Sequence, residues 1–258
     1  MGRTIGIVGA GHLAGYLVQG LMRLEKPPAI VVSPRNAEKA RELAERFGVS
    51  IAEDNQAVID AADIVILATR PPLGTAAIDG LSFRPEQIAV TIVAGMPLAV
   101  FSAAAAPARV HRAIAHAGVS IGASPVFLYP DAPELHEMFS AWGPVEASPD
   151  EAAFEVATVF PVFYAALYRI IEEATRWGVA QGLEPAAARD LATVSMKATA
   201  AMAEADRERP LPEIIDSLAT KGGLTERMIE VLEERGAIEA WSESLDVVLR
   251  RVRGDMQA

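Results

Sequence analysis

The chain has 258 residues, of which 51% are hydrophobic and 22% are charged, a balance that argues against disorder. Its net charge of −11 disfavours nucleic-acid binding, which depends on a basic surface. The sequence contains no cysteine, which excludes disulfides and thiolate chemistry. Strand-like sequence begins within the first few residues, and no uninterrupted apolar run reaches membrane-spanning length. We therefore expect a soluble cytoplasmic protein with no signal peptide and no membrane association.

A glycine-rich turn follows the first strand-like segment, residues 5–8. Its spacing, Gly9-x-Gly11-x-x-Ala14, matches the dinucleotide-binding fingerprint, whose last position also accepts alanine. Gly9 permits the tight turn, Gly11 lets the backbone approach a pyrophosphate, and Ala14 keeps the following helix close to the strand. The start of that helix offers unpaired N–H groups and a positive dipole end to the phosphates. The motif predicts cofactor contacts at Gly9, Gly11, His12, Leu13 and Ala14.

The second predicted strand, Ala29–Val32, is followed by no acidic residue. Asp or Glu at that position would hold the ribose 2′-hydroxyl of NAD and repel a 2′-phosphate. Ser33, Arg35 and Asn36 instead provide a hydroxyl, a guanidinium and an amide, which suit a phosphate. These residues predict NADP(H) as the cofactor. The alternative is that Ser33 or Asn36 only caps the helix predicted over Ala37–Phe47, with Arg35 solvated.

Strand-like and helix-like segments alternate over residues 1–147, which predicts an α/β domain with a doubly wound, Rossmann-type parallel sheet. Continuous apolar runs in this region are typical of strands that are covered on both faces. Further strands are predicted over residues 62–69, 87–93, 109–114, 118–128 and 143–146, with a helix over residues 132–142.

Two loops follow neighbouring strands of this predicted sheet. One contains Thr69, Arg70 and Pro71, and the other contains Ala94 and Gly95. Ligands of open α/β sheets bind beyond the carboxyl ends of the strands, so we expect both loops beside the nicotinamide and ribose. The alternative is that proline and glycine merely end the strands there and bind nothing.

Residues 148–258 show no strand pattern and predict an all-helical second domain after the cofactor domain at 1–147. Ser148 is a candidate cap for its first helix, and Pro161 is expected to break a helical run. Segments such as residues 154–171 are apolar over most of their circumference. A second copy of the chain would cover them, so we expect a homodimer through this domain.

Other candidate residues are isolated. His116, at a strand end, can act as a proton donor, although a buried, merely hydrogen-bonded role is the stronger interpretation. Tyr164 is a candidate pocket residue, although a lone aromatic is more often part of a core. A Gly-Gly turn at residues 220–226 is typical of an anion nest, with Lys221 adding a cation and Thr220 and Thr225 adding hydroxyls. The alternative is an interhelical turn capped by Thr225. No ligand pattern for a metal is present.

The order of these motifs resembles pyrroline-5-carboxylate reductase over nearly the whole chain. The family's G-A-G-N-M-A turn is similar to residues 9–14, its Ser-x-Arg to residues 33–35, its V-K-P loop to 69–71 and its A-G loop to 94–95. The resemblance implies NADPH-dependent reduction of a cyclic imine and a dimer interleaved through the helical domains. Like residues occur in the helical domain at Glu172, Gly178, Gly182, Leu183, Gly222 and Gly223.

The segments that correspond to the family's substrate motifs are altered. Only Arg112 represents R-x-M-P-N-T-P, and residues 161–166 replace G-S-G-P-A-Y. The family's carboxylate turn, S-P-G-G-T-T, becomes residues 220–225, which lose one hydroxyl and gain a cation. The family resemblance therefore covers the cofactor half better than the substrate half.

The leading hypothesis is an NADPH-dependent reductase of an anionic cyclic imine, either pyrroline-5-carboxylate or another. The substrate's anion would bind at Lys221–Thr225, with His116 and Tyr164 lining the pocket. Two alternatives stay open. One is a ketone or hydroxy-acid reductase, for which Lys197 and Lys221 are the lysines of the second domain. The other is a non-catalytic NADP(H)-binding protein.

Overall fold

The structure is a computed structural model that describes residues 2–71 and 73–254. It divides into two compact units. The first unit contains the chain up to Pro161 together with the segment from Leu249 onwards, and the second is Val162–Val248. The domain boundary predicted at residue 147 stays a prediction, and residues 255–258 of the predicted second domain lie outside the described residues.

One sheet of eight strands organises the first unit. The strands are β1 (Thr4–Val8), β2 (Ala29–Val32), β3 (Ser50–Ile51), β4 (Ile64–Leu67), β5 (Ile88–Thr91), β6 (Arg109–Ile114), β7 (Val126–Tyr129) and β8 (Val145–Ala147). Their order across the sheet is β3-β2-β1-β4-β5-β6-β7-β8. Within the described sheet, β6 and β7 are antiparallel and every other neighbouring pair is parallel. The predicted doubly wound sheet is confirmed.

Two apolar clusters cover the two faces of the sheet. β4 contributes to both, since its side chains alternate: Ile64 and Ile66 belong to one cluster, and Val65 and Leu67 to the other. A strand buried on both faces must be apolar throughout, which is why β4 reads as a continuous apolar run. The helices of this unit are α1 (His12–Leu21), α2 (Ala37–Phe47), α3 (Asn55–Ala61), α4 (Leu98–Ala104), α5 (Pro133–Phe139) and α6 (Glu151–Ala157).

The strand predicted over residues 118–128 is wrong in its first half. Ala117–Ile121 forms a short 3-10 helix, and only Val126–Tyr129 is a strand. The ring nitrogen Nδ1 of His116 accepts the N–H of Gly118 at 3.0 Å and caps this turn. Gly122, with φ of +71°, ends it in a left-handed conformation.

The first helix after the sheet begins differently from the prediction. Asp150, not Ser148, caps α6, and its carboxylate accepts the N–H of Ala153 at 2.7 Å. The predicted break at Pro161 is confirmed, because a short 3-10 turn over Phe160–Val162 separates α6 from the next helix.

The described residues of the second unit form helices joined by turns and contain no strand. Its helices are α7 (Phe163–Ala180), α8 (Pro185–Ala205), α9 (Leu211–Leu218), α10 (Leu224–Glu234) and α11 (Glu239–Val252), the last of which ends in the first unit. Among the described residues of 162–248, only Gly178 and Ala188 are buried. Many large apolar side chains are exposed there, among them Trp177, Leu191, Val194, Met202, Leu218, Leu224 and Met228.

One segment departs from the expectation that no apolar run reaches membrane-spanning length. Glu151–Ala180 has a mean hydropathy of 1.5 and, by length and composition alone, could cross a membrane. One such segment is weak evidence, because the core helices of soluble proteins have the same character. The break at Pro161 divides this segment into α6 and α7.

Candidate functional site

The carboxyl ends of β1 and β4 lie side by side where the strand order reverses. The register pairs Val8 with Leu67, and the N–H of Ala68 donates to the carbonyl of Val8 at 2.9 Å. Ligands of open α/β sheets bind in the crevice outside such a reversal. The glycine turn after β1 and the loop that starts at Thr69 therefore flank one crevice.

The glycine turn has the backbone geometry that its motif requires. Gly9 has φ of +110°, and a Cβ there would lie 2.8 Å from the carbonyl oxygen of Ala68. The N–H of Gly11 donates to the carbonyl of Gly9 at 3.0 Å. A Cβ on Gly11, by contrast, would meet nothing within 4 Å. The turn therefore leaves open space beside Gly11, directly at the start of α1.

The start of α1 suits an anionic group. No side chain caps the helix, so its first N–H groups are left for solvent or a ligand. His12 is exposed and Leu13 is half-buried, whereas Ala14 is fully buried in the core. The small Ala14 side chain lets α1 pack closely on the sheet. These residues fit the pyrophosphate of a dinucleotide.

Ser33 has a role in shaping this turn. It is buried at the end of β2, and its hydroxyl accepts the N–H of Gly9 at 2.9 Å. The strand neighbouring β1 thus fixes the backbone of the turn. Sequence reasoning assigned Ser33 to a phosphate, and that assignment stays a prediction beside this structural role.

Arg35 and Asn36 differ in what they contact. The Asn36 side chain caps α2 by accepting the N–H of Lys39 at 3.3 Å, which agrees with the capping alternative. Arg35 is exposed, and within the described residues its guanidinium has no hydrogen-bond or ion-pair partner. A cation available beyond β2, with no acid beside it in the sequence, fits a ribose 2′-phosphate.

A cleft of about 360 Å³ lies between the loops after β4 and β5. Pro71 lines one side of it, and Ala94 and Gly95 line the other. The Thr69 hydroxyl donates to the carbonyl of Gly74 at 3.3 Å and holds the first loop in a turn. Arg70 is exposed. Of the predicted loop residues, the structure thus places Pro71, Ala94 and Gly95 around one concave surface, and Thr69 and Arg70 do not line it.

His116 is held in a structural contact. It is 8% exposed, and Nδ1 accepts the Gly118 N–H, so in the neutral ring Nε2 carries the proton. Burial lowers the pKa of His116 below its usual value. The ring is therefore neutral at physiological pH, and its Nδ1 caps the 3-10 turn that follows.

Sequence reasoning missed an ion pair that anchors the end of the sheet. Arg112 is 2% exposed, and its Nη1 donates to Glu151 at 2.7 Å. The same carboxylate oxygen accepts the N–H of Leu98 at 2.8 Å. The guanidinium carbon also lies 4.4 Å from the centre of the Phe154 ring. The signal in the sequence is an arginine directly before the apolar residues Ala113 and Ile114 of β6.

The candidate residues in the second unit differ in how far they are exposed. Tyr164 is half-buried on α7, and burial, with a smaller contribution from Tyr168, raises the pKa of its hydroxyl. Lys197 is exposed on α8. Lys221 and Thr225 are exposed in the turn before and at the start of α10.

The turn that was predicted to bind an anion already binds a carboxylate of this chain. The N–H of Gly222 donates to the carboxylate of Glu226 at 2.6 Å. The N–H of Gly223 donates to the carbonyl of Thr220 at 2.7 Å. No side chain of the turn caps α10 in the way proposed for Thr225. Among the residues described, no cluster of His, Cys, Asp or Glu has the form of a metal site.

Two family models match separate parts of the chain. Residues 4–95 match the model described as NADP oxidoreductase coenzyme F420-dependent. Residues 151–254 match the model described as pyrroline-5-carboxylate reductase dimerisation. The first match contains the glycine turn, and the second contains the helical unit.

Individual relatives extend over both parts. The pyrroline-5-carboxylate reductase of Mycobacterium tuberculosis is 30% identical over 215 residues, which are 77% of this chain and 72% of that protein. The enzyme of the same name from Methanosarcina acetivorans is 25% identical over 251 residues, 91% of each chain. A solved structure of 1-pyrroline-5-carboxylate reductase from Streptococcus pyogenes has the same fold. Its TM-score is 0.86 at 23% identity, with 98% of this chain and 99% of that chain covered.

The glycine turn at the sheet reversal, together with the match over residues 4–95, defines the class of protein as an NAD(P)-dependent oxidoreductase with a Rossmann-type domain. The relatives narrow the class to one family. The chain belongs to the pyrroline-5-carboxylate reductase family. The resemblance predicted from residues 9–14, 33–35, 69–71 and 94–95 is thereby confirmed.

Proposed function

We propose that the protein reduces the C=N bond of a cyclic imine with NADPH. The observation that carries the proposal is the exposed guanidinium of Arg35 beyond β2, which has no partner among the described residues, in a chain of this family. An acidic residue at the end of β2 would favour NADH, and none is present. Arg35 would bind the 2′-phosphate, and Gly11 with the start of α1 would bind the pyrophosphate.

The residues around the crevice supply position and electrostatics. When bound, NADPH supplies the hydride, and a protonated imine is already electrophilic enough to accept it. The protein therefore needs to orient the imine and needs no strong acid. Pro71, Ala94 and Gly95 line the cleft and would hold the nicotinamide end, with Thr69 and Arg70 just before Pro71 in the chain.

We also infer that the protein is a soluble cytoplasmic homodimer assembled through its helical unit. Residues 151–254 match the dimerisation model of the family. The exposed apolar side chains of the second unit, with only Gly178 and Ala188 buried among its described residues, need a cover of similar character. Sedimentation velocity tests this inference, and a monomer at micromolar concentration would overturn it.

The activity is tested with the purified full chain by following the absorbance of the reduced nicotinamide. NADPH and NADH are each offered with 1-pyrroline and with pyrroline-5-carboxylate. The proposal expects imine-dependent oxidation of NADPH, with kcat/KM about tenfold or more above that with NADH. The absence of turnover on either imine, or a preference for NADH, would contradict it.

A further inference from the structure

Residues 93–97 line one side of the cleft and form a wall, the 93–97 wall, that is held at both of its ends. At its start, the buried hydroxyl of Thr91, the last residue of β5, accepts the N–H of Val93 at 3.2 Å. At its far end, Leu98 begins α4, and its N–H donates to the carboxylate of Glu151 at 2.8 Å. These two bonds fix the stretch of chain that shapes the cleft.

The 93–97 wall also touches the loop on the other side of the cleft. Met96 is buried, and its methyl carbon lies 3.3 Å from the position that a Cβ on Gly74 would take. Gly74 lines the cleft as well, and its carbonyl accepts the hydroxyl of Thr69. A contact this close leaves little free space, so a shift of Met96 would change the width of the cleft.

The far end of the wall depends on an acceptor from a distant part of the chain. Pro97 precedes α4 and offers no side-chain hydrogen bond to the helix. The first N–H groups of a helix have no partner within it and need an acceptor from elsewhere. Glu151, which is 53 residues after Leu98 and begins α6, supplies that acceptor.

Glu151 is itself held in place by a buried charge. The carboxylate oxygen that accepts the Leu98 N–H also accepts Nη1 of Arg112 at 2.7 Å. Arg112 is 2% exposed, and within the described residues Glu151 is its one ion-pair partner. Because a buried guanidinium without an anion is costly, Arg112 keeps the carboxylate at this position. All of these residues belong to the first unit.

We propose that Glu151 is a positioning residue that holds the 93–97 wall against the nicotinamide of the bound cofactor. It acts through the N–H of Leu98 and touches neither the cofactor nor the substrate. This inference rests on the proposed imine reduction and names the residue that sets the shape of its cleft. Small displacements between a hydride donor and its acceptor slow the transfer strongly, so loss of this support should lower the rate.

Three variants of the full chain separate the hydrogen bond from the charge. Glu151→Ala removes the acceptor of the Leu98 N–H. Glu151→Gln keeps an oxygen that can accept both N–H groups but loses the charge that balances Arg112. Leu98→Pro removes the donor and leaves the ion pair in place. Proline is favourable at the first position of a helix, and Pro97 before it has the extended ψ of 143° that a following proline requires.

Glu134→Ala is the matched control. Glu134 is a half-buried acid on α5 that pairs with Arg109 at the amino end of β6, whereas the cleft lies beyond the carboxyl ends of the neighbouring strands. Its removal therefore breaks an ion pair of the same strand without touching the 93–97 wall.

Calorimetric titration compares NADPH with adenosine 2′,5′-bisphosphate, which carries the 2′-phosphate but has no nicotinamide. Glu151→Ala and Leu98→Pro should weaken NADPH binding by about tenfold and leave binding of the bisphosphate within about twofold. Glu151→Gln and Glu134→Ala should leave both affinities within about twofold. Equal losses for the two ligands, a loss of NADPH affinity in the control, or unchanged NADPH binding by Leu98→Pro would overturn the inference. Each titration is run below the unfolding transition of the variant, and Leu98→Pro decides the matter if Glu151→Ala does not fold.

Kinetics with 1-pyrroline provide a second measurement. The kcat of Glu151→Ala and of Leu98→Pro should fall by about tenfold or more, with a smaller change in the KM for 1-pyrroline, and Glu151→Gln should restore kcat. If the unchanged protein reduces neither 1-pyrroline nor pyrroline-5-carboxylate, the proposed function fails, and the titrations still decide the role of Glu151. An undiminished kcat in Leu98→Pro would overturn that role.

Discussion

The hydroxyl of Ser33 accepts the N–H of Gly9 at 2.9 Å, so the end of β2 holds the turn that follows β1. Arg35, two residues further along, is exposed and, among the described residues, unpartnered. One side chain thus shapes the glycine turn, and the other is available to a ligand. The two roles can be separated by mutation.

Ser33→Ala should weaken NADPH and NADH binding by similar factors. The change leaves the Gly9 N–H without its acceptor, which costs about 1–2 kcal/mol of stability and loosens the turn that both cofactors use. Kd values from nicotinamide fluorescence and the urea midpoint measure the two effects. Ser124→Ala is the control, because that buried hydroxyl contacts the His116 N–H, away from the turn. A loss confined to NADPH would instead assign Ser33 to the 2′-phosphate.

Arg35→Ala should weaken NADPH binding by about 10- to 100-fold and leave NADH binding unchanged, because only NADPH carries the 2′-phosphate. Fluorescence titration with each cofactor measures the difference. Arg3→Ala removes an exposed arginine that precedes β1, at the amino end of the strand, and serves as the control. Equal losses for the two cofactors would contradict the assignment.

Gly9→Ala should lower the stability of the protein, whereas Gly11→Ala should lower its affinity for NADPH. Alanine at position 9 meets the Ala68 carbonyl and requires φ of +110°, so it should cost about 1–3 kcal/mol of stability. Alanine at position 11 meets nothing within 4 Å at φ of −100°, so stability should be retained. Its Cβ would nevertheless occupy the space kept for the pyrophosphate, and NADPH binding should fall. Thermal melts and cofactor titrations measure both effects, and undiminished NADPH binding by Gly11→Ala would refute the placement.

His116 should make the protein less stable as the pH falls. Its pKa is lowered in the folded state by burial, so the unfolded chain takes up a proton first, near its ordinary pKa of about 6.5. The destabilisation by His116 is absent above about pH 7.5. It grows as the pH falls through 6.5 towards the lowered pKa of the folded state. His116→Asn keeps an acceptor for the Gly118 N–H and should flatten this slope. Urea unfolding at several pH values between 5 and 8 tests it, and an unchanged slope would count against this origin.

Arg112 and Glu151 should respond asymmetrically to mutation. Glu151→Gln leaves a guanidinium that is 2% exposed without an anion and should cost about 2–3 kcal/mol, less than in a fully buried pair. Arg112→Met leaves Glu151, which is 36% exposed and reaches water, so its cost should be smaller. The double variant should be more stable than the sum of the two changes predicts. Urea unfolding of the four proteins measures this, and strict additivity would argue against the pair.

The sheet was predictable wherever burial imposed a pattern on the sequence. β4 is apolar at every position because two clusters cover it, and Asn36 ahead of Ala37–Phe47 marks a capped helix. The two-residue strand β3 is too short to show a period. Residues 118–121 were predicted to be part of a strand. The cap from His116, which makes them a 3-10 turn, is a local side-chain contact that apolar periodicity does not report.

The candidate site was predictable where a motif is continuous along the chain. Gly9 and Gly11 follow from spacing alone, since backbone shape dictates them. The Arg112–Glu151 pair joins residues 39 apart in the chain, and nothing in one sequence links them. The bond from Gly222 to Glu226 was within reach of sequence reasoning, because a glutamate at the third position of a helix often returns to the turn before it.

The exposed apolar side chains of the second unit affect how a newly made chain folds and assembles. A newly synthesised chain can bury the two clusters of its sheet without help, since β4 and its neighbours lie within one unit. The side chains of Trp177, Leu191 and Leu224 stay in contact with water until another surface covers them. The yield of folded protein should therefore rise with chain concentration as long as assembly outpaces aggregation, and dilution should loosen the helical unit before the sheet.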